Sequence, residues 1–469
     1  LPKRRIVGSN GANGKREALI SEEHKSGEQH RLRGHRARQF RGVDPQFRRP
    51  KGNPVKNVVN DRARPAGRVF YGWFIVVAVF FTTAMAAGTI YSFSAFFDSF
   101  SREFGADRFA ISLIFAVCEC VWFSTGFGAG FLADRFGPRL VVLAGSLVMA
   151  TGLAFAATAS SIAFLCVAYG AGVGIGGGMM YVPSVGVIQR WFKRHRGLAS
   201  GLAICGTGVG TLIVPFFTTL MIDGFGWRTT HQVLALGVLA VCGVASLVLV
   251  ASPGLLGLAP DGDPHLAEDR GQPLPGLSLA QALSTSAFWL LYFASLVSSG
   301  SVFITYVHLV PNALDNGLAA QSAVMLVGAL GVAGTFGRFL LGGIADRVGH
   351  RLALALMFAG LTAAMAWWLL APPTFLTLLI YAVAFGVFYG GYITVLPVLA
   401  MDFYGGRRIS TIIGFLYTSW AVGALGGPPL AGFLYEMSGN YFYAILTGGL
   451  FMALATVSCL IIREPRLKY

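Results

Sequence analysis

Past residue 68 the chain resolves into apolar stretches of about 20 residues or more, parted by short polar connections. A helix of that length is what crosses roughly 30 Å of hydrocarbon. Twelve stretches qualify and are predicted as membrane-spanning helices: residues 71–97, 109–133, 139–158, 162–189, 197–222, 229–252, 287–314, 319–345, 351–370, 374–401, 409–435 and 441–462, here spans one to twelve. The longest internal connection, 253–286, is rich in Pro, Gly and Asp and divides the body into halves at 69–252 and 287–469. Within it, residues 277–283 read as a short interfacial helix.

Composition strengthens this reading. A chain of 469 residues could hold two or three soluble domains, but 55% of it is hydrophobic and 12% charged, about half the charge of a soluble domain. So few charges cannot cover a water-exposed surface. The net charge of +15 suggests nucleic acid until it is located: residues 1–68 hold 18 Lys+Arg and 6 Asp+Glu, leaving 18 and 15, or +3, for the rest. The basic character belongs to a tail expected to be disordered. Attraction to anionic headgroups and RNA binding are its functional readings, an inert tail is the plain one, and no nucleic-acid partner is expected. The tail does not read as a secretory signal. Its first methionine is Met85, inside span one, so the expected start is a non-AUG codon or an over-extended frame.

In the loops, fourteen Lys and Arg fall on one side (Arg135, Arg139, Arg190, Lys193, Arg194, Arg196, Arg270, Arg347, Arg351, Arg407, Arg408, Arg463, Arg466, Lys468) against Arg102, Arg108 and Arg228 on the other. The positive-inside rule then places both termini in the cytoplasm. The six cysteines lie in apolar runs without metal-ligand spacing, so neither structural metal nor cofactor is expected.

The halves repeat one another. Gly130-Phe-Leu-Ala-Asp134-Arg135-Phe-Gly137-Pro-Arg139 after span two answers Gly342-Gly-Ile-Ala-Asp346-Arg347-Val-Gly349-His-Arg351 after span eight, at an offset of 212. Pro183 answers Pro397 at 214, and Gly201 and Gly210 answer Gly414 and Gly423 at 213. Parallel six-helix repeats about an axis along the membrane normal are an architecture of secondary transporters, with the substrate site near the midplane. The paired GxxxDRxGxR loops resemble the signature of the major facilitator superfamily, over residues 70–463. The resemblance implies that Asp134, Arg135, Asp346 and Arg347 gate the cytoplasmic face. The fold expected is all-α, twelve transmembrane helices in two six-helix repeats.

Three stretches narrow the resemblance: Tyr71-Gly72-Trp73, Trp191-Phe192-Lys193-Arg194-His195-Arg196-Gly197-Leu198-Ala199-Ser200-Gly201-Leu202-Ala203, and Tyr306-Val-His308-Leu-Val-Pro311. They are similar to monocarboxylate porters and oxalate/formate antiporters, the last to bacterial members. This implies a transporter of a small monocarboxylate with proton symport, in a bacterial inner (plasma) membrane. Anion exchange, efflux of other organic compounds and a non-transporting membrane sensor are the alternatives. No enzyme is expected: there is no nucleophile elbow or Walker loop, and the Gly174-Ile-Gly176-Gly-Gly178 run lies inside an apolar helix.

Ionisable residues inside the bilayer cost about 2.5 to 3.5 kcal/mol on insertion scales and mark function. Three stand out. Arg338 lies eight residues before Asp346, about 12 Å into the membrane, and reads as a bidentate partner for a substrate carboxylate or as half of a structural ion pair with Glu119. The resemblance favours the first. Glu119 and His308 are the candidate proton carriers; the Asp that animal porters place four residues before the Arg is Gly334 here. Nor does span eleven, Tyr417-Thr-Ser-Trp420-Ala-Val-Gly423, carry the Lys of the oxalate branch, so one cation matches one carboxylate. Tyr91, Tyr181, Tyr389, Tyr392 and Trp420 are candidate wall residues, with Tyr91, Tyr392 and Trp420 assigned beside Arg338 to substrate binding.

Overall fold

The computed structural model describes residues 69–106, 108–263 and 275–465; the basic tail lies outside them. Among the described residues all regular structure is helical, with one isolated bridge between Gly276 and Gly405. Eleven helical segments are long and apolar enough to cross a membrane. One of them, Arg196–Val248, has 53 residues, which at 1.5 Å per residue is about 80 Å, more than twice the hydrocarbon thickness. Gly226 breaks it with φ 78° and ψ 162°, a conformation open essentially to glycine alone. That residue falls between spans five and six, so the crossings number twelve, as the apolar pattern predicts.

The repeat extends to the backbone. Gly137 (φ 89°) and Gly349 (φ 90°) each cap the start of the following helix, Pro138–Ala156 and His350–Leu370. A side chain at either position would be strained, so the glycine of both motif copies sets a tight turn between antiparallel helices. In the connection between the halves, Ser278 and Gln281 form a capping box on the short helix Leu279–Leu283, inside the stretch expected to be helical.

Two spans carry local irregularities. Span one covers 71–97 as expected, but Ser92 interrupts it between the helix Tyr71–Tyr91 and a second, amphipathic helix at Phe93–Phe104. At the break the Ser92 N–H and Oγ both donate to the Gly88 carbonyl (2.9 and 2.6 Å), while the Tyr169 hydroxyl donates to the Thr89 and Ile90 carbonyls (2.9 and 3.3 Å). The Ser92 N–H bond to Gly88 is the ordinary helical one, whereas the Thr89 and Ile90 carbonyls at the helix end gain an outside donor, as such groups need inside a bilayer. Tyr169 itself sits in a π-helical stretch, Cys166–Val173, that interrupts span four, a local form common at functional sites.

Backbone contact through glycine joins the halves. A Cβ on Gly201 would lie 2.2 Å from the Arg338 carbonyl oxygen, and one on Gly197 2.2 Å from that of Gly342, fixing span five against span eight. Gly206 and Gly210 meet the Phe80 and Ala84 carbonyls of span one in the same way. The glycine-rich signature of span five thus serves two close helix contacts. We expect Gly201→Val to lower the melting temperature of the purified protein by several degrees, through overpacking of about 1 to 3 kcal/mol; an unchanged melting curve would remove this packing role.

Candidate functional site

On the basic side of the membrane the motif carboxylates cross from one half to the other. Asp134, at the end of span two, has a fully buried side chain that pairs with Arg190 of span four. It also accepts from the Ser410 N–H (3.3 Å), the Thr411 N–H (2.8 Å) and the Thr411 hydroxyl (2.7 Å), the first-turn donors of span eleven, Ile409–Ser438. Asp346, its repeat counterpart in span eight, accepts from the Gly197 and Leu198 N–H groups (2.6 and 2.9 Å) at the start of span five. Each aspartate therefore caps a helix of the opposite half, where unpaired N–H groups and the helix dipole favour a negative charge.

Further pairs close the same face. Arg196 pairs with Asp402, His350 bridges Asp346 and Asp402, and Arg190 Nε donates to the Gly406 carbonyl at 3.2 Å. Arg135 and Arg347, expected to share the gate with the aspartates, are exposed and outside this cluster; Arg135 lies over the Phe136 ring. One residue along a helix turns a side chain by about 100°, so they point away from the helix ends that Asp134 and Asp346 cap. Arg190 and Arg196 take the places expected for them. The sequence marks both only as loop cations on the basic side.

Away from that closed face, a cavity of about 680 Å³ lies between the halves. Its wall carries Arg338, Glu119, Tyr91 and Trp420 of the predicted set, together with Tyr181, Tyr389 and Gly334. Arg338 is only 6% exposed. Its Nε has no hydrogen-bond partner, and no acidic side chain among the described residues lies within ion-pair distance of it. Gly208 of span five leaves it room, since a Cβ there would lie 2.8 Å from Nη1. Glu119 is buried as well, with the Tyr91 hydroxyl as its polar neighbour and no donor in full hydrogen-bond geometry on either oxygen. Glu119 and Arg338 line the same cavity and form no ion pair with each other in this structure.

Two other predicted residues lie off the cavity wall. Tyr392 is fully buried, accepts from Ser298 Oγ at 3.0 Å, and stacks behind Trp420 with ring centroids 5.8 Å apart; it supports the wall without lining it. His308 is off the cavity wall, where its Nε2–H donates to the Pro428 carbonyl (3.1 Å) and its ring packs near Tyr441. Conversely, Thr207, Trp122, Phe123, Tyr306 and Tyr417 line the cavity. No sequence signal separates them from packing aromatics and hydroxyls, because the rotation of each helix decides.

The family model described as Major Facilitator Superfamily matches residues 79–376 and 346–469. Among similar proteins, Monocarboxylate transporter 12 of Xenopus laevis is 27% identical over 402 residues, covering 82% of this chain and 87% of that one. Monocarboxylate transporter 11 of Homo sapiens is 28% identical over 388 residues, covering 81% and 80%. The crystal structure of the E. coli fucose:proton symporter superimposes with a TM-score of 0.63 at 15% identity, over 84% of this chain and 98% of that one. A second structure of that symporter, in the outward conformation, gives 0.65 at 15% identity, over 84% and 99%; at such identities the likeness is one of fold. With its twelve crossings, its repeated motif and these matches, the chain is an integral membrane protein and a transporter, not an enzyme, and it belongs to the Major Facilitator Superfamily.

Proposed function

We propose that the protein is a secondary transporter that moves a small monocarboxylate by alternating access, with a proton as co-substrate. The observation that carries the reading is Arg338: a guanidinium buried on the cavity wall, with no carboxylate among the described residues at ion-pair distance. A buried charge without a partner is costly, and a planar guanidinium offers two parallel N–H donors to a carboxylate. Arg338 is the only Lys or Arg on the described wall, which favours one carboxylate over two. The monocarboxylate transporters among the relatives support the same class. By the loop charges, the basic side is the cytoplasmic one, both termini lie there, and the cavity faces the cell exterior.

Glu119 is the proton carrier in this reading. An ionised carboxylate enclosed without a partner is expensive, whereas its neutral form is not. Substrate on Arg338 and a proton on Glu119 leave the cavity with no unpaired charge, so the loaded protein can rock through a closed state that the empty one enters only at a cost. The test is uptake of labelled monocarboxylates into proteoliposomes with and without an inward proton gradient. Wild-type uptake is expected to rise with the gradient. With Glu119→Gln that stimulation falls at least tenfold while substrate counterflow persists; full stimulation in the variant would move the proton elsewhere.

A further inference from the structure

We infer that the substrate is a monocarboxylate with an aromatic body, held by its carboxylate at Arg338 and by its ring on an aromatic belt shared between the halves. This rests on the carboxylate role proposed for Arg338. The belt runs from Tyr389 through Trp420, Phe123 and Trp122 to Tyr181 and Tyr417, with successive ring centroids 6.2, 5.7, 5.8, 5.7 and 5.9 Å apart. These are the separations of favourable edge-to-face and offset contacts, and all six rings line the cavity that holds Arg338. Trp122, Phe123 and Tyr181 come from the first half and Tyr389, Tyr417 and Trp420 from the second. A ring seated among them touches both halves.

Size points the same way. Span eight lines the cavity from Val327 to Arg338, eleven residues or about 16 Å along the helix. The volume of about 680 Å³ falls in the range of pockets that enclose drug-sized ligands. A two- or three-carbon acid on Arg338 would leave most of this wall uncovered. Among the described residues the charged groups on the wall are Arg338 and Glu119; the rest is apolar and aromatic surface with scattered hydroxyl and indole N–H groups, which offers an aromatic body a seat and a second anion no second cation.

The experiment is calorimetric titration of the purified full-length protein in lipid nanodiscs with 3-phenylpropionate, propionate and the uncharged 3-phenylpropanol. We expect 3-phenylpropionate to bind at least tenfold tighter than propionate and 3-phenylpropanol not to bind. Trp420→Leu and Phe123→Leu, which keep apolar bulk but remove a ring, should each weaken 3-phenylpropionate at least fivefold more than they weaken propionate. If Trp420→Leu does not elute as a folded protein, Phe123→Leu carries the test. Equal affinities for the two acids, or a preference untouched by loss of either ring, would overturn the aromatic class. The carboxylate site would still stand in that case if Arg338→Gln lost both acids. Binding of 3-phenylpropanol as tight as that of its acid, or retention of both acids by Arg338→Gln, would overturn the Arg338 reading and this inference with it.

Discussion

Arg338→Gln is expected to lower the kcat/KM of carboxylate uptake at least about 25-fold without lowering the stability of the empty protein. Truncating one partner of a buried, hydrogen-bonded charge pair costs about 2 to 5 kcal/mol, and each 1.4 kcal/mol is tenfold. Gln keeps two donors at most and loses the charge. Arg338→Lys should fail nearly as badly, because an ammonium is a point charge and cannot present two parallel N–H groups. The stability arm separates this role from a structural one. Arg338 makes no ion pair with any described residue, so its removal orphans no partner, and relieving a buried unpaired charge is neutral or stabilising. A melting temperature at or above wild type with uptake lost is the expected pair of results. A drop in melting temperature with uptake retained would make Arg338 a packing residue.

The same contrast explains what could be read from the sequence. Membrane thickness imposes a length on every apolar stretch, so the twelve crossings were legible, including the pair whose helices run together except at Gly226. The repeat fixed Asp134 and Asp346 as equivalent positions, and the structure gives them equivalent acts, each capping a helix of the opposite half. Arg338 was legible because hydrocarbon makes a lone cation expensive.

Rotation of helices about their own axes was not legible. Tyr389 lines the cavity and Tyr392, three residues on, does not, a difference of about 60° in helical phase. Glu119 and Arg338 could be balanced by charge, but only the packing of spans two and eight decides that they do not meet. The break at Ser92 and the π-helical stretch around Tyr169 depend on each other through a hydrogen bond spanning some eighty positions, and no local propensity encodes it.

Asp134→Asn is expected to open the face that carries the basic loops, with a larger effect than Asp346→Asn. The Asp134 side chain is fully enclosed, paired with a nearly buried Arg190 and accepting three hydrogen bonds from Ser410 and Thr411. An amide cannot neutralise Arg190, and its NH₂ would face donors. Breaking a buried pair by removing one charge costs about 3 to 5 kcal/mol, enough to shift a two-state equilibrium more than a hundredfold. Asp346 caps span five through two backbone N–H groups and meets His350, and loss of a helix cap costs about 0.5 to 2 kcal/mol. Arg135→Gln should change little, since that side chain is exposed outside the cluster. Spin labels at Arg139→Cys and Arg407→Cys, exposed positions on the basic side of opposite halves, would report the distance across this face in a background cleared of the six native cysteines. We expect Asp134→Asn to lengthen the main distance and to cut uptake at least tenfold, Asp346→Asn to populate the longer distance partly, and Arg135→Gln to leave both unchanged. An unchanged distance in Asp134→Asn would mean that the glycine contacts between spans five and eight hold the face shut without the carboxylates. The aspartates would then be helix caps that happen to cross between halves, and closure would have to be sought in the backbone packing around Gly197 and Gly201.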